Sequence, residues 1–177
     1  MGKILTVIGI VSGVLFAVVS CSTNTCRENV SALPLATFYS SSTENEISVD
    51  SLTVYGVGVP GDSAIIRNGN ASMVYLPFRV SAASCGYVFH YEQKLLSDTR
   101  LNDTLTVNYK SNPMFTSVEC GAMYFYEITG LSCTNHLIDS VAVVNASITN
   151  VESETIRIFF RTAEPDDDGD DSSGDMV

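Results

Sequence analysis

The 177-residue chain has no tryptophan, two histidines, and nine lysines and arginines against twenty aspartates and glutamates. Each shortage excludes something. Sugar sites on β-proteins stack their ligands on aromatic rings, tryptophan above all. Its absence leaves glycan binding as the minor reading, and the eight tyrosines are accounted for as strand residues. The few basic residues form no cluster and the net charge is −11. That composition excludes nucleic acid as a partner and offers no polybasic patch to anionic lipid.

The motifs of common catalysts are missing too. No G-x-S-x-G, HExxH or glycine-rich phosphate loop occurs. Gly61-Asp62-Ser63 has the letters of an esterase block, but that arrangement needs an Asp three residues before its His. Here the residue three before His136 is Cys133, and three before His90 is Tyr87. Cys85, His90, Cys133 and His136 are spaced C-x4-H and C-x2-H, which is not a zinc-finger layout. In an exported chain disulfides are the expected use of such cysteines. No catalytic residue, metal ligand or cofactor is assigned, and the protein is expected not to be an enzyme.

What is present is alternation. After Val19 the apolar residues recur with period two rather than 3.6. Leu105 and Val107 alternate with threonines. Ile156, Ile158 and Phe160 share a face, as do Val74, Leu76, Phe78 and Val80, with Pro77 marking an edge or bulged strand. Val144, Ala146 and Ile148 alternate likewise. Ile47-Ser48-Val49 and Leu52-Thr53-Val54 are out of phase, so a bulge or tight turn is expected at Asp50-Ser51. Turns are read at Pro60-Gly61-Asp62, Asn68-Gly69-Asn70, Ser111-Asn112-Pro113 and Thr129-Gly130. The fold class is all-β, a single antiparallel β-sandwich of about eight or nine strands. Cys85 to Glu92 and Cys120 to Glu127 share the pattern C-G-x-x-aromatic-x-Y-E, which suggests two strands in equivalent positions.

The ends differ from the body. Met1-Gly2-Lys3 precedes an uncharged, nearly all-apolar run, Ile4 to Val19. That is the layout of a secretory signal, and it is short for a spanning helix, which needs about 20 residues. Residues 1–20 are read as signal peptide, 21–35 as anchor and tether, 36–163 as the β-sandwich and 164–177 as an acidic tail. Removing residues 1–20 takes away Lys3 alone, giving 8 − 20 = −12, and the tail's seven acids leave 8 − 13 = −5 for residues 22–163. The tail has no apolar face and is expected to be disordered. Counting from Asp166, Gly169 falls fourth and Asp171 sixth, which breaks the EF-hand pattern.

Val18-Val19-Ser20-Cys21 resembles the lipobox of bacterial lipoproteins. The resemblance implies cleavage before Cys21, which then carries diacylglycerol and an N-acyl chain such as palmitate. Two or three chains anchor stably where one holds marginally. Ser22, in place of Asp, favours the outer membrane, and the uncharged Ser22-Thr23-Asn24-Thr25 favours a periplasm-facing site over the cell surface. The partners expected are that membrane and an envelope protein or glycan.

With Cys21 lipidated, four cysteines remain in an oxidising compartment. If the chain turns near Gly130, Cys120 and Cys133 lie too far apart along the hairpin to bond. That removes Cys120–Cys133 with Cys26–Cys85 and leaves two pairings open. Asp50-Ser51-Leu52, Asp62-Ser63-Ala64, Asp103-Thr104-Leu105 and Asp139-Ser140-Val141 also fit a D-(S/T)-aliphatic pattern of Bacteroidota O-glycosylation, with Ser63 the foremost candidate and Ser51, Thr104 and Ser140 the others.

The lipobox, Cys26, Leu76-Pro77-Phe78, Tyr109-Lys110 running through Phe115 to Cys120-Gly121, Ile138-Asp139-Ser140-Val141 and the last strand from Ile156 together resemble a family of uncharacterised Bacteroidota lipoproteins, domain of unknown function 6452. The resemblance implies an envelope address and no known activity. It also implies the pair Cys26–Cys120, from which Cys85–Cys133 follows; the residues alone equally allow Cys26–Cys133 with Cys85–Cys120. The function expected is a membrane-anchored, non-enzymatic binding or structural accessory, with a glycan-binding or glycan-acting module as the alternative.

Overall fold

The computed structural model describes residues 32–59, 63–117 and 121–162. The signal region, Cys21, Cys26, Cys120 and the acidic tail lie outside them. Ten strands form two sheets, and among the described residues the one helical element is a 3-10 turn, Thr99–Leu101. The strands are β1 (Leu35–Ser40), β2 (Val49–Gly56), β3 (Ala64–Ala71), β4 (Met73–Tyr75), β5 (Ser84–Tyr91), β6 (Asp103–Ser117), β7 (Gly121–Cys133), β8 (Ile138–Val143), β9 (Ser147–Ile148) and β10 (Glu154–Phe160). One sheet runs β4-β1-β10-β8 and the other β3-β2-β5-β6-β7-β9. Alternation places Leu105, Val107 and Tyr109 on one inner face and Ile156, Ile158 and Phe160 on the other, all buried. Phe38, Phe89 and Phe160 meet edge to face between the sheets, Phe38 lying 6.2 Å from Phe89 and 5.2 Å from Phe160.

Several expectations need correcting. The strands number ten, and the architecture is not purely antiparallel, since β1 and β10 pair in parallel, Ala36 opposite Ile156. The first and last strands therefore lie side by side at the centre of one sheet, buried on the inner face. Ala32 and Leu35 belong to the core, so the folded body reaches into the stretch read as tether. The run Val74 to Val80 is strand only over Met73–Tyr75, because the chain crosses between sheets after Leu76. Val144 and Ala146 are exposed outside the strands. The expected kink at Asp50-Ser51 is present: Ser51 has φ 54°, and the β2–β3 register shifts between Val49 and Leu52.

Three expected turns are strand instead. Asn68, with φ 41°, lies within β3, where its N–H bonds to Thr53 Oγ1 at 2.8 Å. Ser111-Asn112-Pro113 lies within β6 and Thr129-Gly130 within β7. β5 pairs with β6 only as far as Asn108. Beyond it Pro113 faces an open edge, where a missing N–H is tolerated. Gly130 stands opposite Asn108 beside a register shift. A Cβ there would lie 3.2 Å from the Asn108 amide nitrogen. The two Cys-Gly echoes are not equivalent: β5 starts opposite Asn108, whereas β7 starts opposite Ser117.

The sandwich has two distinct ends. At the upper end β1, β5 and β10 begin, Pro34 O accepts from Leu76 N at 3.0 Å, and β6 and β7 run on as a two-stranded arm over residues 111–117 and 121–125. At the lower end β1 and β10 finish, and the Ser40 hydroxyl bonds to Thr162 at 2.8 Å.

Candidate functional site

A cleft of about 620 Å³ opens at the upper end, over the outer face of the six-stranded sheet. Its apolar walls are Val57, Val59, Ile65 and Pro77, and Ser63, Ser84, Thr104 and Thr106 supply hydroxyls. Glycine makes it possible. Gly86 faces outward on β5, and a Cβ there would meet Val57 Cγ2 at 3.0 Å; one on Gly56 would meet Val59 Cγ2 at 2.9 Å. Without those two side chains, the chain after β2 folds over the sheet and Val57 N bonds to Gly86 O at 2.8 Å.

Arg79 is the one charged residue in the described lining, and two buried tyrosines hold its backbone. Tyr87 Oη donates to Pro77 O at 2.6 Å. Tyr109 Oη donates to Arg79 O at 2.8 Å and accepts from Arg79 N at 3.0 Å. Phe78, between them, stacks on Tyr109 with ring centroids 4.1 Å apart and meets Tyr126 edge-on at 5.4 Å. Burial holds both phenols far above their ordinary range, assisted by the nearby Cys85 thiol, so the clamp stays protonated and able to donate. No described carboxylate pairs with the Arg79 guanidinium, which is free to meet an anion.

A second polar cluster lies at the lower end. Asp103 is fully buried. One carboxylate oxygen accepts from Thr134 Oγ1 at 3.0 Å and His136 N at 2.8 Å. The other accepts from Tyr91 Oη at 3.0 Å and from Leu137 N and Ile138 N, each at 2.8 Å. His136 Nδ1 sits 3.3 Å from the same carboxylate. The sequence carried a signal for this hub: Asp103 is in phase with Leu105, Val107 and Tyr109, a lone acid on a buried face. No such signal pointed to Arg79, whose place depends on strands distant in sequence.

The expected site residues scatter. Cys85 and Cys133 are both free thiols, so the Cys85–Cys133 bridge implied by the resemblance is corrected. Cys85 stands opposite Val107 and Cys133 opposite Leu105, on either side of β6. Two strand spacings across and two residues along put them about 12 Å apart, beyond the roughly 7 Å Cα limit. Cys85 Sγ contacts Tyr109 Oη at 3.1 Å instead. The turn near Gly130, on which the exclusion of Cys120–Cys133 rested, does not exist; Cys26 and Cys120 lie outside the described residues. Cys85, His90, Cys133 and His136 do not converge, since His90 Nδ1 bonds to Asn102 at 2.8 Å, and no described group of three His, Cys, Asp or Glu could hold a metal. Of the candidate glycosylation sites, Ser63 and Thr104 line the cleft, Ser140 is exposed on β8, and Ser51 is half-buried in the β2 kink.

Among the described residues no helix is long and apolar enough to cross a membrane. No curated protein and no solved structure matches the chain. A family model does match, over residues 51–160, from β2 to the end of β10. That is more than half of the 177 residues, and the chain belongs to this family of unknown function, DUF6452.

Proposed function

We propose that the protein is a Bacteroidota outer-membrane lipoprotein, anchored through Cys21 and facing the periplasm, whose β-sandwich binds a small amphipathic anion without transforming it. The observation that carries this reading is the cleft. Ligand sites are typically concave, mostly apolar and of roughly 300–1,000 Å³, with a few placed polar groups. Val57, Val59 and Ile65 suit an aliphatic chain, and Arg79, clamped by Tyr87 and Tyr109, suits a terminal carboxylate or phosphate. The cleft does not favour sugar stacking, because its one ring, Tyr87, is 2% exposed. Lipidation rests on the lipobox-like Val18-Val19-Ser20-Cys21.

Titration of the full chain with a dansyl-labelled fatty acid tests the reading. Saturable enhancement is expected, and Arg79→Gln should weaken it about tenfold, equivalent to about 1.4 kcal/mol. No saturable binding, or equal binding by Arg79→Gln, rejects the assignment. For the anchor, mass spectrometry of the native protein should find acylated Cys21, and Cys21→Ser should leave the precursor uncut.

A further inference from the structure

The exposed apolar residues are not spread evenly over the molecule. Leu33 at the entry of the chain, Val57 and Val59 after β2, Val80 between β4 and β5, and Val144 and Val151 around β9 all stand exposed at the upper end. The arm adds Met114, Phe115 and Tyr124, of which Phe115 is 71% exposed. Among the described residues, the lower end has Leu95, and Met73, 44% exposed, follows the β3–β4 connection there. Its loops instead carry Glu44, Glu46, Glu92, Lys94, Asp98 and Arg100. The upper end carries charge of both signs, Arg79 and Lys110 with Glu127, which stands opposite Lys110, and Glu152, which accepts from the Tyr75 hydroxyl.

We infer that the upper end is a bilayer-docking surface, with Met114, Phe115 and Tyr124 of the β6–β7 arm seated in the lipid interface and the lower end facing the aqueous phase. The chain enters the body at this end, at Ala32, and residues 21–31 connect it to the proposed lipid on Cys21; the inference rests on that anchoring reading. Eleven residues span at most roughly 38 Å, so the tether keeps the upper end near the membrane without fixing its orientation. The arm supplies the orientation. Aromatic and apolar side chains on a narrow ribbon are suited to the interface, where Tyr sits at headgroup depth. The ribbon's inward-facing backbone groups are paired between its own strands, Pro113 opposite Tyr124 and Phe115 opposite Ala122, while its two open edges need the water of the headgroup region and hold the arm at interfacial depth.

The chain lacks tryptophan, so Phe115→Trp and Thr43→Trp each provide a single reporter, one on the arm and one at the lower end. The full lipidated variants are reconstituted into phosphatidylethanolamine–phosphatidylglycerol vesicles with and without brominated acyl chains, then floated on a density gradient. Both variants should float. Phe115→Trp should shift to the blue and lose emission to bromine, and Thr43→Trp should do neither. Flotation with Phe115→Trp unquenched overturns the arm's insertion and leaves the anchor standing. Quenching of Thr43→Trp overturns the orientation. Failure to float, with Phe115→Trp unquenched, removes both the anchor and the docking surface.

Discussion

The carboxylate of Asp103, the first residue of β6, accepts a hydrogen bond at 2.8 Å from the backbone N–H of Ile138, the first residue of β8. The two strands belong to different sheets, so this bond stitches the sandwich where the chain crosses from β7 to β8. The same carboxylate takes the N–H groups of His136 and Leu137. It thereby satisfies three consecutive backbone donors at the start of β8.

Removing that acceptor should be costly. Asp103→Ala leaves the donors and the Tyr91 hydroxyl without their partner, and an unsatisfied buried donor costs about 1–3 kcal/mol. We expect urea unfolding to show a loss of about 3–5 kcal/mol. Asp103→Asn should fall between wild type and Ala, because one amide oxygen cannot replace two carboxylate oxygens. A loss below about 1 kcal/mol for Asp103→Ala would show that the hub is dispensable.

Stability should fall at both extremes of pH, through different residues. The Arg157 guanidinium, 2.8 Å from Glu154, holds that carboxyl below its usual range, and the Tyr39 hydroxyl assists. A depressed folded pKa means that the contribution is complete above the ordinary glutamate value, near 4.3, and is lost as pH falls through the folded value. Glu154→Gln should flatten the acid limb of a Tm-against-pH curve. At the alkaline side, burial raises Tyr87, Tyr91 and Tyr109 above their ordinary values. Raised values give a contribution complete below about pH 10 and lost above it as the unfolded phenols ionise. Tyrosinate absorbance should therefore rise together with unfolding, and Tyr91→Phe should lessen that linkage. Ionisation of all eight tyrosines before any loss of structure would contradict the assignment.

The cysteines on β5 and β7 should behave as thiols. Burial pushes the Cys133 thiol up, and the carboxylates of Asp103 and Asp139 push it further, so little thiolate is available to react. Iodoacetamide at neutral pH should label Cys133 slowly in the folded protein and readily in urea. Non-reducing peptide mapping should yield no fragment joining Cys85 to Cys133; finding one would contradict the strand register across β6.

Legibility tracked how local each feature is. Ile156, Ile158 and Phe160 declared their buried face because the period of a strand is a property of consecutive residues. The break at Asp50-Ser51 was legible for the same reason, and Ser51 is where the chain kinks. The parallel pairing of β1 with β10 was not, since no nearby residue encodes a partner more than a hundred positions away. Ser111-Asn112-Pro113 and Thr129-Gly130 misled because turn chemistry is a weak preference, and a long ribbon with an open edge at Pro113 and a bulge at Gly130 accommodates both. Asp103-Thr104-Leu105 was read for its hydroxyl, while its acid is what the fold uses. The cleft was invisible, for Arg79 is placed by hydroxyls on β5 and β6 and the floor is the missing side chain of Gly86.

Gly86 provides the cleanest separation of the cleft from the fold. Its neighbour Val57 is exposed, and the clash of a new Cβ is with that side chain, at 3.0 Å to Cγ2 and 3.3 Å to Cβ. The backbone bond from Val57 N to Gly86 O stays in place while a Val57 rotamer change clears Cγ2 and a backbone shift of a few tenths of an ångström clears Cβ, which reshapes the cleft wall. An alanine in a strand interior also costs less backbone entropy than glycine, by roughly 0.5–1 kcal/mol. Gly86→Ala should therefore leave the urea midpoint unchanged or slightly raised while weakening capture of the dansyl-labelled fatty acid. Gly86→Val, with a branched side chain pressed on Val57, should abolish capture. If both variants bind the probe like wild type while remaining folded, the cleft over Gly86 is not where the probe sits.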